Sequence, residues 1–338
     1  MPPETPVVAV LAREQGPQPP DLAPVAEGAA IRYAVSVHEL KDALADADAL
    51  LVWDFRSAKL RDAWPSARRL AWVHVAGVGV EAVLFPELVS SSVILTNSRG
   101  VFDQAIAEWV LGLMLAFAKG LPTTLDLQRR HAWQHRVSER LAGQMVLVLG
   151  AGGIGRAIGR LARGAGMRVM GVARTARPSD PDLGRVVALR DLQAFLPDAD
   201  YLVIALPLTS ETKGMVGAAT LGRMKPTARL VNVARGPIVD EEALVQALRA
   251  GRIAGAALDV FTEEPLPADS PLWDLPGVII SPHMSGDFTG WEASLSQLFV
   301  VNFQRWRRGE PLLNIVDKRR GYVPTPLHSP AAGETAGT

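Results

Sequence analysis

Three side chains in the second half of the 338-residue chain have the means to do acid–base chemistry on an anion. They are Arg235 in "VNVARGPIVDEEAL", Glu264 in "LDVFTEEPLP" and His283 in "SPHMSG". Each segment follows a short apolar run, and in a doubly wound sheet the loops after the strands line the crevice where ligands bind. A guanidinium binds a carboxylate and polarises the neighbouring carbonyl. An imidazole donates a proton to the forming hydroxyl, and a carboxylate orients that imidazole and favours its charged form. The set suits hydride transfer to a 2-keto acid. Singly, each residue has a plainer reading: Arg235 as a loop cap, Glu264 as a surface charge beside Pro265, His283 as a residue held after Pro282. Their joint occurrence at strand ends favours the chemical reading.

A hydride donor has its own signature. Gly150, Gly152 and Gly155 of "GAGGIGR" match the dinucleotide fingerprint G-x-G-x-x-G, with strand-like "MVLVL" before it and helix-like "IGRAIGRLARGAG" after it. The first glycine makes the tight turn, the second lets backbone approach a pyrophosphate, and the third lets helix pack on strand. Gly153 and Ile154 open the helix whose positive end receives the pyrophosphate. About 20 residues after such a turn an acidic residue normally holds the ribose of NAD. In "RVMGVARTARP" that carboxylate is missing, and Ala173, Arg174 and Thr175 take its place. Arg174 and Thr175, with Arg177 nearby, suit the 2′-phosphate of NADP instead. NADP is the preferred expectation; a solvated arginine is the plainer one, so NAD stays open.

Composition narrows the classes. With 35 basic and 35 acidic residues there is no general attraction toward nucleic acid or an anionic membrane, and neither is expected as a partner. The absence of cysteine excludes disulfide and thiolate chemistry and fits a reducing compartment. "MPPETPVVAV" lacks the form of a signal peptide, and the longest apolar run, Trp109 to Ala118, is shorter than a membrane span and reads as a buried helix. A cytoplasmic location is expected. His131, His135 and Glu139 are spaced to share a helical face able to hold zinc, but "HAWQH" lacks the glutamate of H-E-x-x-H and no further ligand cluster is evident, so no metal is expected. Trp133 between them either packs or closes a substrate pocket, and His74 reads as structural. No serine-hydrolase elbow or P-loop is present.

The elements that must position these residues are short Val-, Ile- and Leu-rich runs at 7–11, 49–53, 70–75, 93–96, 145–149, 168–172, 201–206, 229–233, 256–260 and 278–280. Helical spacing over 103–118, 154–165, 241–250 and 294–307 separates many of them. Alternating strands and helices argue for parallel sheets covered on both faces. At 338 residues the chain suits two domains, with a boundary near Asn97. The Pro- and Gly-rich stretch "PTPLHSPAAGETAGT", residues 324–338, reads as a flexible tail.

From about Leu70 to Asp317 the sequence resembles the D-2-hydroxyacid dehydrogenase family. The matching pieces include "HVAGVGVEAV", "NSRGVFDQAIAEWVLGLMLA", "LGAGGIGR", "LPLTSETKGMV", "VNVARGPIVDEEALVQAL", "ALDVFTEEPLP", "LWDLPGVIISPH" and "PLLNIVD". The first 60 residues match only in strand pattern. The resemblance implies two doubly wound parallel-sheet α/β domains, with a Rossmann coenzyme domain (98–287) inserted into a flavodoxin-like substrate domain (1–97 and 288–323). It implies that Arg235, Glu264 and His283 are the catalytic trio. Val78 and Gly79 would hold the substrate carboxylate through backbone N–H groups. Asp259 and the carbonyl of Ala234 would bind the nicotinamide carboxamide, and Leu206, Pro207 and Thr209 would lie along the adenosine. A homodimer is implied, paired largely through the coenzyme domain.

Departures narrow the subtype. Formate dehydrogenases of this family carry glutamine where Glu264 stands, and phosphite oxidisers carry lysine where Val78 stands. Arg174 resembles the NADP-preferring glyoxylate and hydroxypyruvate reductases. Glyoxylate, hydroxypyruvate, pyruvate and bulkier 2-keto acids all remain open as substrates. The alternatives are a dinucleotide-sensing interaction protein, like the co-repressors that share this fold, or a dehydrogenase of another small anion.

Overall fold

Five parallel strands build the first of two sheets: β1 (Val7–Leu11), β2 (Ala30–Ala34), β3 (Ala49–Val52), β4 (Trp72–Val75) and β5 (Ile94–Asn97). Their order is β2-β1-β3-β4-β5, the flavodoxin-like arrangement. The protein is described by a computed structural model covering residues 3–324, so beyond residue 324 the expected tail lies outside the described residues. The chain divides into two compact units, one running to Ser98 and resuming at Glu292, the other Arg99–Trp291, inserted between those two segments.

In the first unit, β3 and β4 are buried along their whole length, as expected of strands covered on both faces. Leu50, Val52, Val73 and Val75 meet Leu40 and Leu44 of helix Val37–Leu44 in its core. That helix starts with a complete capping box, Ser36 with Glu39. Helix Trp291–Arg307 packs Phe299 on Trp72 with ring centroids 5.1 Å apart.

The second unit holds β6 (Met145–Leu149), β7 (Arg168–Ala173), β8 (Arg177–Asp180), β9 (Gly184–Ala188), β10 (Tyr201–Ile204), β11 (Arg229–Asn232), β12 (Gly255–Leu258) and β13 (Val278–Ile280). The order is β13-β12-β11-β10-β6-β7-β9-β8, so the strand order reverses at β6, as in a dinucleotide-binding sheet. The fold class read from the sequence is the one observed, with one amendment: β8 runs antiparallel to β9 at the sheet edge. Helix Asp103–Lys119 ends at Gly120 in the left-handed conformation, φ 59°, and helix Leu121–Arg129 follows. Among the described residues no single helix is long and apolar enough to cross a membrane; these two pass a length-and-composition test only as a pair bent by 64°.

Candidate active site

The glycine turn is built as the fingerprint requires. β6 is wholly buried, Gly150 has φ +117°, and a β-carbon there would lie 2.3 Å from the carbonyl oxygen of Ala205. A β-carbon on Gly155 would lie 1.8 Å from the carbonyl oxygen of Gly150. Around a β-carbon on Gly152 nothing lies within 4 Å, so its backbone is open to a phosphate. Helix Gly153–Gly164 begins at the next residue and presents its unpaired N–H groups there, Ile154 among them. Two glycines forced by backbone contact and one facing open space fit a dinucleotide.

The neighbouring loop is braced alongside. Ala205 N donates to Leu149 O at 2.7 Å, and Leu206 N lies 3.2 Å from a β-carbon on Gly150. Thr212 Oγ1 donates to Pro207 O at 2.7 Å and accepts from Thr209 N at 2.8 Å. Leu206, Pro207 and Thr209 therefore sit on a fixed loop beside the glycine turn.

At the end of β7 the side chains of Arg174 and Thr175 are exposed in the turn leading to β8. Arg177 lies beside Asp180: its Nη2 is 3.5 Å from Asp180 Oδ2, where Arg156 also binds at 3.0 Å. Burial pushes the Asp180 carboxyl up, but Arg156 and the backbone N–H groups of Leu183 and Asp182 outweigh it and hold it below the usual carboxylate range. Asp180 is thus a tie within the hairpin.

The three chemical loops follow adjacent strands. Asn232, at the end of β11, accepts from Ala234 N at 3.1 Å and donates to Arg235 O at 3.1 Å, clamping the loop that carries Arg235. Arg235 Nη1 donates to Ala234 O at 2.7 Å. At Gly236 a β-carbon would lie 1.9 Å from the carbonyl carbon of Phe261, so this loop presses directly on the one holding Glu264. Glu264 Oε1 accepts from Phe261 N at 3.0 Å, and Oε2 stands 2.7 Å from His283 Nδ1. The sequence-predicted pair is brought together, each side chain 29% exposed.

His283 adopts φ +53°, uncommon for a residue with a side chain. The conformation is held from Asp259. This fully buried carboxylate accepts from Ser281 Oγ at 2.6 Å, Met284 N at 2.9 Å and Ser285 N at 2.9 Å, gripping the segment on both sides of the imidazole. Sequence reasoning gave Asp259 a coenzyme contact and missed this role. The available signal was a carboxylate ending an apolar strand, which must find donors when buried. The Asp259 carboxylate and the Ala234 carbonyl already accept protein donors, and Asp259 has no exposed surface.

In the first unit, Val78 and Gly79 lie in the loop after β4. Val78 O accepts from Asn97 Nδ2 at 2.6 Å, which fixes the loop. His74 is fully buried, with Nδ1 2.8 Å from Thr96 Oγ1 and Nε2 3.3 Å from Ser98 Oγ. The helical face expected for His131, His135 and Glu139 is not formed. Helix Leu121–Arg129 stops before it, His131 has φ +53°, and Glu139 pairs with Arg229 at 2.8 Å. Among the described residues no group of three or more potential ligands could hold a metal ion. Trp133 and Val137, in the irregular segment that follows the helix, are fully or almost fully exposed.

Residues 111–285 match the family model for the D-isomer specific 2-hydroxyacid dehydrogenase NAD binding domain. The chain is 34% identical over 274 residues to a glyoxylate reductase of Thermococcus gammatolerans, covering 78% of this chain and 81% of that one. A D-isomer specific 2-hydroxyacid dehydrogenase of Xanthobacter autotrophicus, solved with NADPH and MES, superposes with TM-score 0.80 at 33% identity, covering 94% of this chain and 100% of that one. An NADPH-dependent glyoxylate/hydroxypyruvate reductase of Sinorhizobium meliloti, solved with NADP and sulfate, gives 0.82 at 27% identity over 94% of this chain and 100% of that one.

Proposed function

Because the chain belongs to the D-isomer specific 2-hydroxyacid dehydrogenase family, we propose that it reduces a 2-keto acid to the D-2-hydroxy acid with NADPH as the preferred coenzyme. The observation that carries this reading is the 2.7 Å pairing of His283 Nδ1 with Glu264 Oε2. With Nδ1 held by a carboxylate, Nε2 is the atom assigned to proton transfer.

The glycine turn, Gly153, Ile154 and the loop of Leu206, Pro207 and Thr209 would hold the coenzyme, which when bound would supply the hydride that C2 of the substrate accepts. As the carbonyl π electrons move onto oxygen, His283 gives that oxygen its proton. Glu264 keeps the ring oriented and stabilises the imidazolium before transfer. Arg235 neutralises the substrate carboxylate and polarises the carbonyl, and Val78 and Gly79 are assigned to the carboxylate as backbone donors. Asp259 and the Ala234 carbonyl are assigned to the nicotinamide carboxamide. Arg174 and Thr175 are assigned to the 2′-phosphate, a choice supported by their exposure at the end of β7 and by the NADPH and NADP in the two solved relatives.

Glyoxylate and hydroxypyruvate head the substrate choices, since one relative is named a glyoxylate reductase and another a glyoxylate/hydroxypyruvate reductase. A homodimer completes the proposal, supported by the exposed apolar Trp133 and Val137, and the cytoplasm is its proposed location. The test is initial-rate reduction of glyoxylate, hydroxypyruvate, pyruvate and a bulkier 2-keto acid with NADPH and NADH in parallel. Acid-dependent oxidation faster with NADPH is expected. Intact NADPH binding without turnover on any acid would overturn the reductase reading and leave a dinucleotide-binding protein.

A further inference from the structure

The helix end that opens the glycine turn already has a carboxylate against it. Asp103 is the first residue of helix Asp103–Lys119, which packs along helix Gly153–Gly164. Its Oδ2 stands so close to Gly153 that a β-carbon there would lie 2.0 Å away. Gly153 is the first residue of its own helix. The carboxylate therefore stands in the positive field of two helix N-termini.

The surroundings leave that charge incompletely compensated. Burial pushes the Asp103 carboxyl above its ordinary range, against the pull of Arg99, the Gly100 N–H and Arg160. Arg160 is shared, with Nη1 3.5 Å from Asp182 Oδ1. A pyrophosphate seated on the open backbone at Gly152 and on the first N–H groups of helix Gly153–Gly164 would meet this carboxylate as a like charge.

We propose that Asp103 limits the affinity of the dinucleotide site, its charge competing with the coenzyme pyrophosphate for the turn at Gly152, Gly153 and Ile154, so that coenzyme is held loosely and released readily. The inference rests on the coenzyme site proposed above. Asp103→Asn removes the charge while keeping an oxygen for the Gly100 N–H. NADPH should bind Asp103→Asn about two- to thirtyfold tighter, the range for one charge at a helix terminus.

The test is fluorescence titration of NADPH into wild type, Asp103→Asn and Asp103→Ser, with 2′-AMP, which has no pyrophosphate, measured by displacement. Tighter NADPH in both variants with unchanged 2′-AMP is expected. NADPH affinity unchanged or weakened in variants that unfold at the wild-type temperature would overturn the inference and make Asp103 a structural tie. Equal tightening of both ligands would also overturn it. Should either variant fail to fold, the other decides. A wild type that binds no NADPH would instead remove the coenzyme reading, and this inference with it.

Discussion

Asp259 and Ser281 share a 2.6 Å hydrogen bond that closes the chain after β13 onto the chain after β12. With the bonds from Met284 N and Ser285 N, the same carboxylate fixes the backbone on which His283 stands. Replacing Asp259 by Ala leaves these donors without their acceptor, at a cost of about 1–3 kcal/mol for each that stays buried. Asp259→Ala is expected to lower the urea midpoint well below that of wild type. A midpoint unchanged in the variant would show that the segment is held by other contacts.

His283→Ala and Arg235→Ala are each expected to reduce kcat for keto-acid reduction by about 10²–10⁴-fold, the usual scale of a positioned proton donor or electrophile. Coenzyme binding should survive in His283→Ala. Near-normal turnover in either variant would remove that residue from the proposed chemistry.

Glu264→Gln keeps a side chain near His283 Nδ1 but removes the charge that stabilises an imidazolium. The ring then loses the carboxylate that orients it for proton transfer. kcat for keto-acid reduction should fall in Glu264→Gln while NADPH binding is retained. Unchanged kcat would count against the coupling.

Arg174→Ala should narrow the preference for NADPH over NADH, chiefly by raising KM for NADPH. A charge-assisted bond of about 1.5–3 kcal/mol corresponds to roughly ten- to a hundredfold. Arg177, tied to Asp180, is expected to matter mostly for the β8–β9 hairpin. An unchanged coenzyme ratio in Arg174→Ala would sink the phosphate assignment.

His74 gives a pH prediction independent of catalysis. Burial lowers its pKa from 6.5 to about 3, so between those values the unfolded chain binds a proton that the folded chain refuses. Stability from this source is intact above pH 6.5 and is lost progressively as pH falls toward 3, with a slope of at most about 1.4 kcal/mol per pH unit. Denaturant midpoints at pH 7, 6 and 5 should fall faster for wild type than for His74→Gln. Parallel curves would mean that His74 is not excluded from protonation.

What the sequence disclosed follows the strength of its patterns. β6, β10 and β11 lie in apolar runs buried along nearly their whole length, so they were legible. β2 was not: "AIRYA" is an edge strand, mostly exposed, placed by pairing to β1. β8 and β9 escaped for a related reason, since "RPSD" is polar and its extended form comes from pairing in a hairpin. The His283 and Glu264 partnership was legible from residue type and loop position. The Asp259 grip was not, because it depends on which backbone N–H groups converge on one buried carboxylate. The end of helix Leu121–Arg129 overrode the spacing of the two histidines that follow.

The strand order has a consequence for how such a protein can change. His283 follows β13 at one edge of the sheet, while Arg174 follows β7, across β12, β11, β10 and β6. At about 4.8 Å per strand that is roughly 24 Å. The residues assigned to coenzyme choice and those assigned to proton transfer are therefore in separate territories, on either side of the glycine turn. The hairpin beyond β7 can be rewritten without disturbing the imidazole, so coenzyme choice and reaction chemistry can evolve as independent traits on one scaffold.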